Sequence, residues 1–409
     1  MVKPTAKFSF MEEWKEYQLK DATTVLGDGL HGTPKYDENG TVFFINGNNL
    51  VDGKIEIKES TKRVSEDEAN KYKKNLNSRT ILVSINGTIG NVAKYQGEAC
   101  ILGKSACYFN VSEDFDLNFI YYVVASKQFK NSITHLSTGT TIKNVSLETM
   151  RNYSFAAPSI NEQKRIAELL SSLDDKIELN RRINDNLEQQ AQALFKSWFV
   201  DFEPFRDGEF VDSGLGMIPE GWSIICFNDF LTPSSQRTLQ ENIPEYSVTN
   251  TGIIPRDSKF KKQLSKSTSK NKILRKNNLV FGMSREILNW GIMYDEIGSV
   301  SSAYNVYIID DLLVNPTYLK YYMTANIDYF KDLIGTAARE GQALDKGALV
   351  QKQICIPPYE ILDDFLTREN GYKYKVDKLN SEIINLTNMR DLLLPKLMSG
   401  ELKINDLNC

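Results

Sequence analysis

The sequence predicts an α+β protein in which two duplicated modules of mixed α and β structure are each followed by a long helix. Two observations carry this prediction. Heptad patterns run through two segments of about forty residues, which begin after Pro158 and after Pro358. The strings that precede the first segment recur in the same order before the second, at a distance near 200 residues. A repeat of that length indicates a domain duplication.

The first heptad segment contains no Gly or Pro, and its seam residues alternate at steps of four and three. At ~1.5 Å per residue, a helix of this length extends roughly 60 Å, which indicates a spacer or a partner-binding rod. The seam residues are Ile166, Leu170, Leu173, Ile177, Asn180, Asn184, Leu187, Ala191, Leu194 and Trp198.

The second heptad segment keeps the same alternation, and Pro395 predicts a kink or an end near the C-terminus. Asn180, Asn184, Glu369 and Arg390 are polar at seam positions, where such residues often fix register and partner. Two unrelated amphipathic helices on separate domains are the alternative. The second seam consists of Leu362, Phe365, Glu369, Tyr372, Val376, Leu379, Ile383, Leu386, Arg390, Leu393 and Leu397.

The modules share several strings. EEWKEYQLKD at Glu12 parallels EGWSIICFND at Glu220, and LNFIYYVVAS at Leu117 parallels NPTYLKYYMTA at Asn315. Short β-rich runs separated by Gly and Asn turns precede each tyrosine-paired segment, which we predict to be helical. The link from Phe202 to Trp222 holds Gly and Pro and separates the first helix from the second module.

The string ICIPPYE, from Ile354 to Glu360, resembles the Asn/Asp-Pro-Pro-Tyr motif of amino-methyltransferases, but Ile356 stands at its first position. We interpret it as a domain boundary. Its prolines end a strand and begin a helix, Ile354 and Ile356 belong to the module core, and Tyr359 covers the join.

Catalytic and metal-binding signatures are incomplete. Gly97–Ser105 ends in Gly-Lys-Ser like a phosphate-binding loop, but five residues instead of four separate its glycines. No glycine-rich loop for S-adenosylmethionine and no nuclease-like acidic cluster is evident. Five cysteines without a C-x-x-C pair indicate reduced thiols, and two histidines without clustering argue against zinc. We therefore predict a chain that is not an enzyme and holds no cofactor or metal.

Composition and charge indicate a cytoplasmic protein that is not in a membrane. No apolar run approaches the ~20 residues needed to span a bilayer. The net charge of −4 argues mildly against coating nucleic acid, although a basic face can coexist with acidic ones. The segment from Ser258 to Lys276 carries eight Lys and Arg residues and no acid, as a solvated loop also does.

Polar loops at strand ends favour nucleic-acid binding. Asn, Thr and Lys side chains donate to phosphates or read base edges, and Gly lets backbone N–H groups approach. In the second module, Arg339 suits guanine and Gln342 suits adenine, each in a bidentate pair. Ordinary turn chemistry is the alternative for any single loop. The loops recur at equivalent places in the two modules but carry different residues. This is what we expect of two related modules that recognise different nucleic-acid sequences.

The order of module, helix, module and helix resembles the specificity subunit of type I restriction-modification enzymes. LEQQAQALFKSWFVDFEPF from Leu187 and IPEGW from Ile218 look like that family's central conserved region and the start of its second target-recognition domain. MRDLLLPKLMSGEL from Met389 is similar to its C-terminal end, and HGTPKY, FINGNN and GTIG resemble first-domain motifs. The second module has no HGTPKY equivalent.

The resemblance implies target-recognition domains at 1–158 and 218–358, a long helix at 159–200, a linker at 201–217, and a second helix with a tail at 359–409. The helices would form an antiparallel coiled coil with pseudo-twofold symmetry. Each domain would read one half of a bipartite, asymmetric double-stranded DNA site, and the coiled coil would set the gap. Two modification subunits and added restriction subunits would bind S-adenosylmethionine, ATP and magnesium.

Two other function classes stay open: a self-contained DNA methyltransferase or nuclease, and a coiled-coil scaffold whose modules bind protein.

The predicted coiled-coil contacts are Ile166, Leu170, Leu173, Ile177, Leu187, Leu194, Trp198, Val376, Leu379, Ile383, Leu386 and Leu393. The predicted DNA contacts of the first module are Thr33, Lys35, Asn46, Asn48, Asn86, Thr88, Thr140, Thr141 and Lys143. Those of the second module are Arg237, Arg256, Lys259, Lys261, Arg285, Arg339 and Gln342.

Overall fold

The computed structural model describes residues 14–139, 143–238, 243–256, 270–284, 286–335 and 344–404. The chain forms two compact units, Met1–Arg181 with Asn380–Cys409, and Arg182–Leu379. The division falls within both long helices, α5 (Ile160–Phe199) and α9 (Tyr359–Met398). Each unit therefore combines one module with a part of each helix.

The module of the first unit is a set of small sheets with helices packed on them. Its elements are β1 (Lys15–Gln18), β2 (Thr23–Asp28), β3 (Val42–Ile45), β4 (Leu50–Val51), β5 (Lys54–Ile55), β6 (Arg63–Val64), α1 (Glu66–Tyr72), β7 (Thr80–Ser84), β8 (Val92–Lys94), β9 (Cys100–Leu102), β10 (Ala106–Val111), α2 (Leu117–Ala125), α3 (Lys127–His135), α4 (Leu147–Arg151) and β11 (Ser154–Ala157).

The module of the second unit begins with a hairpin. Its elements are β12 (Phe210–Ser213), β13 (Gly216–Pro219), β14 (Ser223–Cys226), α6 (Phe227–Phe230), β15 (Leu231–Ser234), β16 (Tyr246–Thr249), β17 (Gly252–Pro255), β18 (Lys272–Arg275), β19 (Leu279–Phe281), β20 (Trp290–Ile292), β21 (Ile297–Val300), β22 (Asn305–Ile309), α7 (Pro316–Ala325), α8 (Lys346–Gln351) and β23 (Gln353–Ile356). The predicted linker thus contains the hairpin β12–β13, which its Gly and Pro content did not indicate.

Sheet topology confirms the duplication. The four-stranded sheet of the first module has the order β2-β10-β7-β8, and that of the second has the order β15-β22-β19-β20. In the first module β1 pairs antiparallel with β11, and in the second module β14, the first strand after the hairpin, pairs antiparallel with β23. The paired tyrosines lie on the helices α2 and α7, as predicted.

The long helices pack antiparallel. In the first unit the early part of α5 contacts the late part of α9, where Asp174 accepts from Arg390 at 2.8 Å. In the second unit the late part of α5 contacts the early part of α9, where the rings of Phe199 and Phe365 lie 5.1 Å apart. The predicted seam of α9 is buried or half-buried at every position, and the helix ends three residues after Pro395.

The buried face at the end of α5 differs from the predicted one. Phe195 and Phe199 are 0% and 2% exposed, whereas the predicted seam residues Leu194 and Trp198 are only half-buried. This end of α5 packs on the second module's core as well as on α9, with the ring of Phe195 lying 5.3 Å from that of Tyr318. Because two surfaces cover the helix there, its buried face shifts away from the heptad seam.

Two polar seam residues of α9 have partners on the module of their own unit or on α5. Asp174 accepts from Arg390 and also from the Tyr122 hydroxyl at 2.7 Å. Glu369 is hydrogen-bonded to Tyr321, and burial raises the pKa of the Glu369 carboxyl. A tyrosine of each paired set therefore binds a carboxylate on a long helix.

Asn180 is a third polar seam residue, and its side chain is fully buried. Neither polar atom of that side chain has a hydrogen-bond partner among the described residues. We predict that Asn180→Leu raises the free energy of unfolding by about 1–3 kcal/mol, because a buried unpaired amide is replaced by an apolar group. Thermal melts of this variant and of Asn186→Leu, which alters an exposed position of α5, check it. An unchanged or lower midpoint for Asn180→Leu would contradict it.

At ICIPPYE the structure has the predicted end of a strand and start of a long helix, while the domain boundary itself stays a prediction. β23 ends at Ile356 and α9 begins at Tyr359. Ile354 is fully buried and Ile356 is half-buried, as expected of core positions. The prediction that Tyr359 covers the join is wrong, because this residue is 74% exposed.

Candidate nucleic-acid interface

Three loops of the first module converge on the turn between β9 and β10, residues 103–105. Leu30 N–H, in the loop after β2, donates to the Leu102 carbonyl at 2.7 Å. Gly103 N–H donates to the Ile45 carbonyl of β3 at 2.8 Å, and Ile85 N–H donates to the Ser105 carbonyl at 2.9 Å. The loops after β2, β3 and β7 therefore lie at one end of the central sheet.

A fourth loop, which follows α3, joins this cluster. Val145 N–H donates to the Ile85 carbonyl at 2.8 Å, and Gly87 N–H donates to the Lys143 carbonyl at 3.2 Å. The Asn86 amide donates to the Asn144 side-chain oxygen at 3.3 Å. Gly87 has a φ of 73°, and a Cβ there would meet no atom of the described residues within 4 Å.

The loop that contains HGTPKY is held by Glu68 of α1. The Lys35 backbone N–H donates to Glu68 Oε1 at 2.8 Å, and Lys71 Nζ donates to Oε2 at 2.7 Å. These two hydrogen bonds lower the pKa of the Glu68 carboxyl. The side chains of Thr33 and Lys35 are exposed, so the loop is fixed through its backbone while its side chains stay accessible.

Glu68 predicts a pH dependence. Because its pKa is lower in the folded protein than its ordinary value of 4.5, its contribution to stability is present above that value. The contribution is lost as the pH falls through the folded-state pKa. We predict that Glu68→Gln lowers the melting midpoint at pH 7 and that the difference from the unmodified protein disappears in acid. Asp67→Asn, on an exposed position of the same helix, is the control, and equal midpoint changes for both variants would contradict the prediction.

The loop after β3 is closed on itself and on Ser105. Asn46 Oδ1 accepts from the Ser105 hydroxyl at 2.9 Å, and the Asn46 backbone N–H donates to Asn49 Oδ1 at 3.0 Å. Asn48 is exposed, and its carbonyl accepts from Lys58 Nζ at 2.8 Å. The loop is therefore rigid, with Asn48 at its surface.

The structure brings most of the predicted first-module residues together and adds one. The residues on the four converging loops are Thr33, Lys35, Asn46, Asn48, Asn86, Thr88 and Lys143, whereas Thr140 and Thr141 lie outside the described residues. Lys104 is exposed in the turn that joins these loops, although sequence reasoning did not select it. In the sequence, the Gly-Lys-Ser string marks this turn, although its resemblance is to a nucleotide-binding loop.

The second module holds a group of three cations. Arg237 is exposed and forms an isolated backbone bridge with Lys272. Burial lowers the pKa of Lys272, and the positive charges of Lys346 and Arg237 lower it further. Lys272 Nζ donates to the Tyr304 carbonyl at 2.6 Å, so Arg237 and Lys346 are the exposed members of the group. Lys346, which sequence reasoning did not select, begins α8.

Arg256 is better assigned to structure than to base contact. Its Nη1 donates to Ser247 Oγ at 3.0 Å, its Nε lies 3.8 Å from Glu245 Oε2, and its side chain is 15% exposed. A guanidinium held by its own hairpin has little freedom to enter a groove. The remaining predicted second-module residues, Lys259, Lys261, Arg285, Arg339 and Gln342, lie outside the described residues.

The turn between β16 and β17 is a further candidate that the sequence reasoning missed. Asn250 and Thr251 are exposed there, and the hydroxyls of Thr249 and Thr251 lie 2.9 Å apart. Glu245 forms a parallel bridge with Ser299 of β21, as β3 pairs parallel with β9 in the first module. The string TNT therefore occupies the place that NGNN holds in the first module.

No group of three or more His, Cys, Asp and Glu side chains that could hold a metal occurs within the described ranges. Of the helices in the described part of the chain, none is long and apolar enough to cross a membrane.

The chain is similar to known proteins of one kind. The model of the Type I restriction modification DNA specificity domain matches residues 11–189, which include the first module and most of α5. The specificity subunit of the type I restriction enzyme MjaIX from Methanocaldococcus jannaschii is 28% identical over 97% of this chain and 95% of its own length. Over nearly its whole length the chain is similar to the specificity subunits of type I restriction enzymes. This similarity confirms the predicted resemblance and agrees with the prediction of a non-catalytic subunit.

Other specificity subunits share parts of the sequence or the fold. That of the type I restriction enzyme HindI from Haemophilus influenzae is 29% identical over 48% of this chain and 43% of its own length. The crystal structure of a type I S subunit from M. genitalium is similar over 97% of this chain and 99% of its own, with a TM-score of 0.52 and 18% identity. The likeness to that structure supports the duplicated fold.

Proposed function

We propose that this specificity subunit reads DNA through the loop clusters of its two modules, each module reading one half of a bipartite, asymmetric site. The observation that carries the proposal is the convergence of the predicted loops at one end of the first module's sheet. Exposed Lys35, Lys104 and Lys143 supply phosphate contacts there, and Asn48 and Thr88 supply groups for base edges.

The proposal gives the two long helices the role of a spacer between the half-sites and of a docking surface for partner subunits. Leu179 of α5 and Ile384, Met389 and Leu392 of α9, all in the first unit, are 50–61% exposed. Apolar groups exposed along a helix are typical of a protein-binding surface. We expect two modification subunits to bind the helices and restriction subunits to be added to that complex.

Catalysis is assigned to the partners. S-adenosylmethionine would be bound by the modification subunits, and ATP with magnesium by the restriction subunits. We expect the isolated chain to bind none of these cofactors, and calorimetry on the purified chain would test this. The cytoplasmic location stays a prediction.

Methylation mapping tests the function. Genomic DNA from cells that express this chain with its cognate modification subunit should carry adenine methylation at a bipartite motif with one fixed gap length. Cells without the gene should lack it. Methylation by the purified chain and S-adenosylmethionine alone would support a self-contained methyltransferase. Absence of sequence-dependent DNA binding, even with the modification subunit present, would support a protein-binding scaffold.

A further inference from the structure

The turn Gly103-Lys104-Ser105 lies at the centre of the first module's loop cluster. Its Gly-Lys-Ser motif does not assign it a role. A phosphate-binding loop leads from a strand into a helix, whereas this turn joins the strands β9 and β10. Gly103 and Ser105 contact β3 and the loop after β7 through backbone hydrogen bonds, and Leu102, just before the turn, accepts from Leu30 in the loop after β2. The placement indicates a role in the same interface.

The Ser105 hydroxyl connects two groups of the FINGNN loop. Its Oγ accepts from the Gly47 backbone N–H at 2.9 Å and lies 2.9 Å from Asn46 Oδ1. A backbone N–H can only donate, so the hydroxyl proton is free for an acceptor. Asn46 Oδ1 is the one acceptor that the Ser105 hydroxyl has within the described residues, so this proton holds the oxygen of the Asn46 amide toward Ser105.

Close packing keeps the Asn46 amide in this orientation. A Cβ at Gly103 would lie 2.2 Å from Asn46 Oδ1, and a Cβ at Gly47 would lie 2.7 Å from the Cβ of Ser84. Both positions therefore require glycine. The Asn46 nitrogen has no acceptor in the described part of the chain, and the side chain is only half-buried.

The oxygen of an amide held in this way faces Ser105 and Gly103, so the side chain presents its N–H donors to a ligand and not its oxygen. The usual bidentate pair of Asn with adenine needs an acceptor for the 6-amino group as well as a donor for N7. A donor-only amide instead matches O6 and N7 of guanine or O4 of thymine. Lys104, exposed beside it, suits a backbone phosphate as a point charge.

We propose that the turn Gly103-Lys104-Ser105 is a DNA-reading element. Ser105 is a positioning residue that orients Asn46 as a donor-only reader of one base pair, and Lys104 contacts a phosphate. The inference rests on the proposed function and names the residues by which the first module reads its half-site.

An isosteric pair tests Ser105 in the complex with modification subunits, with affinity measured on the mapped site and on single-base-pair variants. Asn46→Ala first identifies the base pair that Asn46 reads. Ser105→Thr keeps a hydroxyl, whereas Ser105→Val introduces a side chain of the same shape as threonine but without a hydroxyl. We expect Ser105→Val to relax discrimination at that same pair by roughly 5- to 100-fold, and Ser105→Thr to retain it. Equal discrimination by the two variants would overturn the positioning role. Ser105→Ala replaces the valine variant if that variant does not fold.

Base analogues test the donor-only orientation. If the pair read by Asn46 is A·T, replacing its adenine with purine, which lacks the 6-amino group, should leave affinity unchanged. If the pair is G·C, 7-deazaguanine should weaken binding. A loss of affinity on removing the 6-amino group, or an unchanged affinity with 7-deazaguanine, would overturn the assignment.

Salt dependence tests Lys104. We expect Lys104→Ala to lower the slope of log affinity against log salt by about one, with discrimination unchanged. Lys20→Ala is the matched control, because Lys20 is exposed just before β2, at the sheet end opposite the loop cluster. Equal slopes for both variants would overturn the phosphate contact. If the unmodified complex shows no sequence discrimination, the proposed function fails; if it discriminates while these variants do not differ as expected, only this inference fails.

Discussion

Replacing Phe195 with alanine is expected to lower the free energy of unfolding by about 3–5 kcal/mol, the cost of a cavity left by a fully buried aromatic ring. The Phe195 side chain is 0% exposed. Its ring lies 5.3 Å from that of Tyr318 and 5.5 Å from that of Phe365. One side chain thus joins α5, α7 and α9 in the core of the second unit.

Urea denaturation followed by tryptophan fluorescence measures this effect, because Trp222 belongs to the same core. Leu179→Ala is the control on the same helix, since its side chain is 50% exposed and its loss should change stability by less than about 0.5 kcal/mol. A loss below 1 kcal/mol for Phe195→Ala would show that the core does not depend on this ring. Truncation of the predicted seam residue Trp198, which is half-buried, should lower the free energy of unfolding by less than truncation of Phe195.

Replacing Asp174 with alanine is expected to lower the free energy of unfolding by about 2–3 kcal/mol, because it removes a charged hydrogen-bond partner. Asp174 accepts from Arg390 at 2.8 Å and from the Tyr122 hydroxyl at 2.7 Å. The Tyr122 residue is buried, so its hydroxyl would lose its partner away from water. Arg390 keeps Asp391 at 2.8 Å, which limits the loss on that side.

Asp364→Ala provides the matched control for Asp174. Asp364 pairs with Arg368 on α9 at 3.1 Å, but both side chains are more than half exposed, and such pairs contribute about 0.3–0.5 kcal/mol. Chemical denaturation of both variants, with Asp174→Ala repeated in a Tyr122→Phe background, separates the tyrosine contribution from that of the ion pair. Equal losses for the Asp174 and Asp364 variants would mean that the buried contact adds no stability.

The methyltransferase alternative raised by Pro-Pro-Tyr is answered by where its residues lie. Ile356 ends a strand at the margin of the second core, and Tyr359 begins a helix with its ring in solvent. This placement makes the string the join between a strand and a long helix. Methylation is expected on a partner chain.

Periodicity and repetition were sufficient for the architecture. The α9 seam could be predicted at every position because the spacing of side chains along a helix decides which of them share a face. The duplication could be predicted because each module's strings keep their order, and the structure shows the same strand order in both sheets. These features depend on neighbours in sequence.

The binding site depended on contacts between residues far apart in the chain. Asn46 and Ser105 are separated by 59 positions, and Asp174 and Arg390 by 216. The sequence alone determined the two modules, the two long helices and the loops rich in Asn, Thr and Lys. Only the tertiary structure decided that Lys104 lies among those loops, that Arg256 is held by its own hairpin, and that Phe195 rather than Trp198 is in the core. Loop contacts and helix ends are set by packing against distant segments, which no local spacing records.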